Sequence, residues 1–367
     1  MGDFIKKKAR PEIFTLKPYV PGKPIEDVKR ELGLDDIIKL ASNENPLGSS
    51  PKAIEAVEKS LRQMHLYPDA NCFNLKKRLS DITGIEEAGI LIGNGSDEIL
   101  MLLAQTFLNR GDEIIYAKPS FSEYEFTAKI MGAQCVEVPL VDFTHDLDSI
   151  LKAINDKTKI VYICNPNNPT GTIVKDSEIK CFMDKVPDDV LVAFDEAYCE
   201  YVESDDFTSG LKYVQAGRNA IVLRTFSKIY GLAALRVGYA LTRPEIAQAV
   251  EMITEPFNVN MLAQIAALAA IDDNEHVSKS QNINSIGKKY LYNEFDQLGL
   301  YYVPTEANFI FVNTGKNSQE VFKSLLQKGV IVRTGDIFGY PDFIRVTVGT
   351  ESENERFIKN LRQVLAI

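Results

Sequence analysis

Tryptophan is absent from this 367-residue chain, and histidine is nearly so: His65, His145 and His276 are the only three. They lie far apart and outside any ligand-type spacing, which argues against a zinc site and against a Ser-His-Asp triad. The five cysteines (Cys72, Cys135, Cys164, Cys181, Cys199) are odd in number and form no CxxC pair, the usage of reduced thiols in a cytoplasmic protein. No apolar run approaches the length of a membrane-spanning helix. Lys6-Lys7-Lys8 is not followed by an apolar stretch, so no secretory signal is read, and Lys6 breaks the myristoylation pattern that Met1-Gly2 begins. A net charge of −10 without a long basic run makes nucleic acid and anionic membrane poor partners.

What is present is ordinary for a globular protein: 45% hydrophobic and 25% charged residues. The length exceeds one simple core, and two lobes are expected. Short β-branched runs alternate with helical patterns: 90–92, 113–117, 159–164, 190–194, 220–223 and 237–241 read as strands, 97–108 and 176–183 as helices between them. This is an α/β lobe with a mostly parallel sheet, whose ligands bind beyond the carboxyl ends of the strands. A long helix at about 274–298, strands at 308–312, 330–332 and 343–348, and a last helix from about 352 read as a smaller α+β lobe. We place the divisions at 1–45 (N-terminal arm and small-lobe segment), 46–273 (large lobe) and 274–367 (small lobe). The proline-rich start reads as an extended arm. The strand 37–41 is expected to return to the small lobe.

The densest chemistry is Thr225-Phe226-Ser227-Lys228, followed by Gly231 and Arg236-Val237-Gly238-Tyr239. A lysine at the end of a buried strand, partly desolvated, has a lowered pKa and can condense with an aldehyde. The flanking hydroxyls and Arg236 are phosphate-binding groups. A reactive amine beside a phosphate cup suits pyridoxal phosphate. Gly93-Asn94-Gly95-Ser96-Asp97 opens a helix after a strand and could offer free N–H groups to an anion; the plain alternative is a glycine turn capped by Ser96 or Asp97. Asn165 to Gly171 ends a strand in dense turn chemistry that could hold an asparagine amide against a ligand. Asp195, directly after a strand, could pair with a protonated ring nitrogen or simply cap a helix. Phe121 could stack on a planar ring or fill a core. Tyr67 lies in an exposed-looking loop. Arg333 and Arg345 could grip a carboxylate or phosphate, or serve only surface ion pairs.

Together these residues resemble the fold-type-I pyridoxal-phosphate aminotransferases, over nearly the whole chain and in the family's order. Leu40-Ala41-Ser42-Asn43-Glu44-Asn45-Pro46-Leu47-Gly48, Tyr67-Pro68, Asn167-Asn168-Pro169-Thr170-Gly171, Asp195-Glu196-Ala197-Tyr198, Arg224-Thr225-Phe226-Ser227-Lys228, Leu235-Arg236-Val237-Gly238-Tyr239 and Arg345-Val346-Thr347-Val348-Gly349-Thr350 look like the branch that acts on histidinol phosphate. The resemblance implies a large lobe with a seven-stranded sheet flanked by helices. It implies that Lys228 holds pyridoxal 5'-phosphate and shuttles a proton, and that Asp195 keeps the ring nitrogen protonated. Asn168 and Tyr198 would bond the ring's phenolic oxygen, and Phe121, where tyrosine is common, would stack on the ring. Gly95, Ser96, Asp97, Thr225, Ser227 and Arg236 would form the phosphate site. Tyr67 would reach the phosphate of a neighbouring subunit, implying a homodimer with shared sites. Tyr19, Asn43, Arg333 and Arg345 would bind substrate, with Arg345 on the α-carboxylate and Arg333 on the phosphate. Cis peptide bonds are implied at Lys118-Pro119 and Asn168-Pro169. The implied reaction is transamination between histidinol phosphate and 2-oxoglutarate, with no metal. An aromatic aminotransferase and a threonine-phosphate decarboxylase are the alternatives.

Overall fold

A computed structural model of the chain describes residues 2–16 and 22–366. Among these, the strands in chain order are β1 (Ile38–Lys39), β2 (Ile90–Gly93), β3 (Glu113–Lys118), β4 (Gln134–Pro139), β5 (Thr158–Cys164), β6 (Leu191–Asp195), β7 (Ala220–Thr225), β8 (Gly238–Thr242), β9 (Tyr302–Val303), β10 (Phe309–Asn313), β11 (Val330–Ile331), β12 (Arg333–Thr334) and β13 (Phe343–Thr347).

The largest sheet has the order β2-β8-β7-β6-β5-β3-β4. Its neighbours are parallel except that β8 runs against both β7 and β2. The connections explain the directions. Helices Glu123–Met131, Leu147–Ala153 and Asp176–Met183 follow β3, β4 and β5 as crossovers, which parallel neighbours require. β7 and β8 are instead joined by a short irregular loop, so the chain returns antiparallel. That loop carries Lys228.

The central strands carry continuous apolar runs, 160–163, 191–194 and 220–223, because helices cover both faces. Side chains alternate between the two sides. Val161, Ile163, Val192, Phe194 and Val222 enter one core, while Ile160, Tyr162, Leu191, Ala193, Ile221 and Leu223 enter the other. A third core lies around the antiparallel sheet β12-β13-β10-β9 and helices Asn274–Gln297 and Glu351–Leu365. As expected, β1 returns to this part, pairing parallel with β11 and burying Leu40 in the third core.

The start of the chain departs from a plain extended arm. It forms helices Asp3–Lys8 and Ile25–Leu32 and a 3-10 turn Pro11–Phe14. Pro11 and Pro24 stand at or just before helix starts, where a missing N–H costs nothing. Gly33, at φ +66°, ends the second helix. Three strands escaped the sequence reading. β4 alternates weakly, with glutamine and glutamate among its residues, and β9 and β12 have two residues each.

Candidate active site

Three strand ends converge on one cavity of about 450 Å³. β5 ends at Cys164 and leads into Asn168; β6 ends at Asp195; β7 ends at Thr225 and leads into Ser227 and Lys228. The start of helix Ser96–Phe107 forms one wall, Phe121 another, and the segment Ala41–Glu44 with Arg333 and Arg345 closes the side toward the second sheet.

Lys228 is half-buried, and its amine donates to the carbonyl of Ser42 at 3.4 Å and lies 5.7 Å from the centre of the Tyr198 ring. Burial first, then the nearby Arg345 charge, pulls its pKa down to about 8. That matches the amine needed for condensation with an aldehyde.

Asp195 is 4% exposed. Burial pushes its pKa up to about 6, against the hydrogen bonds it accepts from the Tyr124 hydroxyl and the Ala197 N–H. It is no helix cap: the residues after it form a turn and a three-residue 3-10 segment, Cys199–Tyr201. A carboxylate so placed is costly without a cation, and the cavity it faces is where a cation would sit.

The turn before helix Ser96–Phe107 is built for close approach. Gly95 has φ +83°, and a Cβ there would stand 2.6 Å from the Arg236 guanidinium. Neither Ser96 nor Asp97 caps the helix with its side chain; the Glu98 carboxylate instead accepts from the Asn94 N–H. The amide end of the helix therefore faces the cavity beside Arg236, which also pairs with Asp97 at 3.1 Å. Arg236 itself adopts φ +54°, an unusual conformation for a non-glycine residue. Thr225 and Ser227 are buried and line the same end. Amides, two hydroxyls and a guanidinium make an anion cup.

Asn43 is 1% exposed and donates to the Tyr198 hydroxyl at 2.9 Å; its backbone N–H donates to Thr347 on β13. Arg345, also on β13, is 6% exposed and donates to the Asn168 side-chain oxygen and the Ala41 carbonyl. These are not surface ion pairs. Arg333 stands opposite Arg345 in the β12–β13 register, so two guanidiniums border one cavity.

Fourteen candidate residues thus come to one place or its wall, among them Gly95 through its contact with Arg236. Tyr67 does not. It is 82% exposed and stacks on Phe257, ring centres 4.7 Å apart. Tyr19 lies outside the described residues. The peptide bonds Lys118-Pro119 and Asn168-Pro169 are cis as implied, and Asn165-Pro166 is cis as well. Sequence reading missed Tyr124, whose helical position reads as plain core, and Glu123 and Cys164, which line the cavity.

The model for aminotransferases of class I and II matches residues 35–361. A histidinol-phosphate aminotransferase of Moorella thermoacetica is 57% identical over 98% of this chain and 93% of that protein. One from Caldicellulosiruptor saccharolyticus is 49% identical over 97% of this chain and 99% of its own length. Among solved structures, the histidinol-phosphate aminotransferase of Sinorhizobium meliloti in complex with pyridoxal-5'-phosphate superposes with a TM-score of 0.91, at 26% identity, over 98% of both chains. With its sheet, its lysine loop and these relatives, the chain belongs to the class I and II aminotransferase family.

Proposed function

We propose that this protein is a pyridoxal-phosphate-dependent aminotransferase that exchanges an amino group between histidinol phosphate and 2-oxoglutarate. The observation that carries the reading is the division of one cavity into a lysine amine, a buried carboxylate, an anion cup and a pair of arginines. The relatives' names supply the substrate.

The residues fit the cofactor by their own chemistry. The Gly95 turn, Ser96, Thr225, Ser227 and Arg236 would hold its phosphate, with Asp97 setting the Arg236 guanidinium. Asp195 would face the ring nitrogen, Phe121 would stack on the ring, and Asn168 and Tyr198 would bond its oxygen. When bound, the cofactor supplies an electron sink for the bond being broken. The Lys228 amine would hold the cofactor and would move the proton at the substrate α-carbon. Arg345 holds the carboxylate of glutamate or the phosphate of histidinol phosphate, and Arg333 adds a second grip on the phosphate. Asn43 fixes the Tyr198 hydroxyl and so the direction of its hydrogen bond. Tyr19 is read as a contact for the imidazole end.

Rapid-mixing spectra with histidinol phosphate, phenylalanine and threonine phosphate in turn test the reading. Fast amino transfer from histidinol phosphate is expected. Faster transfer from phenylalanine would make the enzyme an aromatic aminotransferase, and release of carbon dioxide from threonine phosphate would make it a decarboxylase.

The two arginines separate by half-reaction. Arg333→Ala should slow the histidinol-phosphate half on the order of ten- to a hundred-fold and spare the glutamate half, because a charge-assisted contact contributes roughly 1.5–3 kcal/mol. Arg345→Ala should damage both. Equal losses in both halves for Arg333→Ala would remove its phosphate role.

We also read the protein as a homodimer with shared sites. Tyr67 and Phe257 are exposed and stack on each other, and Met64, Leu66, Phe73 and Met252, near them in sequence, are exposed apolar side chains that a partner subunit would cover. If Tyr67 serves the partner's phosphate site, mixing Tyr67→Phe with Lys228→Ala subunits gives heterodimers with one doubly damaged and one intact site. Activity should return on mixing, measured on subunits shown to exchange. Exchange without recovery would place Tyr67 elsewhere.

A further inference from the structure

Asn167 is fully buried and sits one residue before Asn168, yet it does not line the cavity. Its side chain is bonded at every position it has. The amide nitrogen donates to the Pro119 carbonyl at 3.2 Å and to the Thr170 hydroxyl at 2.9 Å. The amide oxygen accepts from the Ser120 hydroxyl at 2.8 Å and meets His145 Nε2 at 3.1 Å. Two donors and two acceptor sites are the whole capacity of an asparagine side chain. A carbonyl oxygen can only accept, so His145 donates from Nε2 and is in that tautomer. Its Nδ1 is buried and has no hydrogen-bond partner among the described residues. Burial pulls the pKa of this histidine down to about 4, so it stays a neutral donor at working pH.

This one side chain ties together three loops that leave different strands. Pro119 and Ser120 follow β3 and directly precede Phe121. Asn167 and Thr170 follow β5 and flank Asn168. His145 lies between β4 and the helix Leu147–Ala153. Phe121 and Asn168 both line the cavity, and the Ser120–Asn167 hydrogen bond joins their two loops side chain to side chain. A buried polar cluster with every member of its centre satisfied is rigid, and losing one member leaves others stranded.

We propose that Asn167, held by His145, is a positioning residue that locks the loop of the stacking ring, Phe121, to the loop of the ring-oxygen amide, Asn168. The inference rests on the reading of the cavity as a pyridoxal-phosphate site. Phe121 sets where the face of a bound ring can lie, and Asn168 sets where its oxygen can lie. The latch fixes these two against each other before any ligand enters, so binding does not have to order them.

The test uses the full chain with pyridoxal 5'-phosphate itself, and reads binding and optical activity as well as turnover. Wild type, Asn167→Ala, His145→Leu and His145→Gln are compared; glutamine offers an N–H where histidine Nε2 has one. Asn167→Ala and His145→Leu should weaken cofactor retention on the order of tenfold or more and reduce the visible circular dichroism of the bound cofactor, because the ring is held less asymmetrically. They should lower kcat more than they raise the KM for glutamate, since Arg345 is held by the Ala41 carbonyl and the strand β13 as well as by Asn168. His145→Gln should recover most of the dichroism and retention. Unchanged dichroism and retention in Asn167→Ala would overturn the proposal, as would glutamine being no better than leucine at position 145 in folded protein. Should the alanine variant fail to fold, the histidine pair decides alone. Borohydride fixation of the cofactor on wild-type Lys228 is the separate control: its failure removes the cofactor reading, and the latch with it, whereas its success alongside indifferent variants removes the latch alone.

Discussion

Lys228→Ala protein is expected to bind pyridoxal 5'-phosphate and yet lose amino transfer by several orders of magnitude. The phosphate cup, the buried acid and the stacking ring are all untouched by the change, so the groups that hold the cofactor remain. What disappears is the amine that moves the proton, and removing a positioned general base costs roughly 10²–10⁴-fold on its own. The loss of the covalent attachment adds to it. A pH signature accompanies this in the wild type. The Lys228 pKa of about 8 means that the neutral amine becomes abundant near pH 8 instead of above pH 10. The rate at which cofactor-free protein takes up the aldehyde, followed by absorbance, should therefore rise through about pH 8 and level off. A rise that continues past pH 10 would mean an ordinary solvated lysine. Borohydride labelling at any lysine but Lys228 would sink the assignment outright.

Much of this site was legible because the sheet puts its chemistry at strand ends. Apolar runs such as Ile160 to Cys164 and Ala220 to Leu223 cannot be solvated strands, and the polar residue that follows each one has to face something. That logic marked Asp195, Thr225, Ser227 and Lys228, and an asparagine of the 165–171 turn that the family resemblance narrowed to Asn168; all five line the cavity. It had no hold on residues that act sideways. Tyr124 sits on a helix, stacked 4.5 Å from Tyr162, and is indistinguishable from a core aromatic until its hydroxyl is found on Asp195. Asn167 looks like one more turn residue beside Asn168. His145 seemed an isolated histidine, and its partner is 22 residues away on another loop. The short strands β9 and β12 carry too few residues to show any period, and they owe their form to β10 and β13 beside them. Tyr67 marks a different limit. An exposed tyrosine stacked on an exposed phenylalanine is explained by neither the core nor the cavity of its own chain.

Asp195→Asn should act in opposite directions on the empty and the loaded protein. In the empty protein the carboxyl is buried, and burial raises its pKa from 3.8 to about 6. The folded state then binds the proton more tightly than the unfolded state. Stability falls with pH wherever the native state holds more protons, so the loss accrues between about pH 4 and pH 6 and is complete above that window. A shift of about two units corresponds to on the order of 3 kcal/mol. Asparagine has nearly the same shape, never ionises, and can still accept from the Tyr124 hydroxyl. Cofactor-free Asp195→Asn should therefore melt several degrees higher than wild type at pH 8, with the gap closing toward pH 4. With the cofactor the order reverses. The ionised carboxylate would meet a protonated ring nitrogen away from water, and removing one partner of such a buried pair costs roughly 3–5 kcal/mol. That is a loss on the order of 10²–10⁴-fold in catalysis or cofactor retention. Melting curves at the two pH values, with and without pyridoxal 5'-phosphate, read all four quantities in one experiment. A variant that is less stable when empty at pH 8 would mean that Asp195 already has its counter-charge within the chain, and that its place at the end of β6 serves the fold and not the ring.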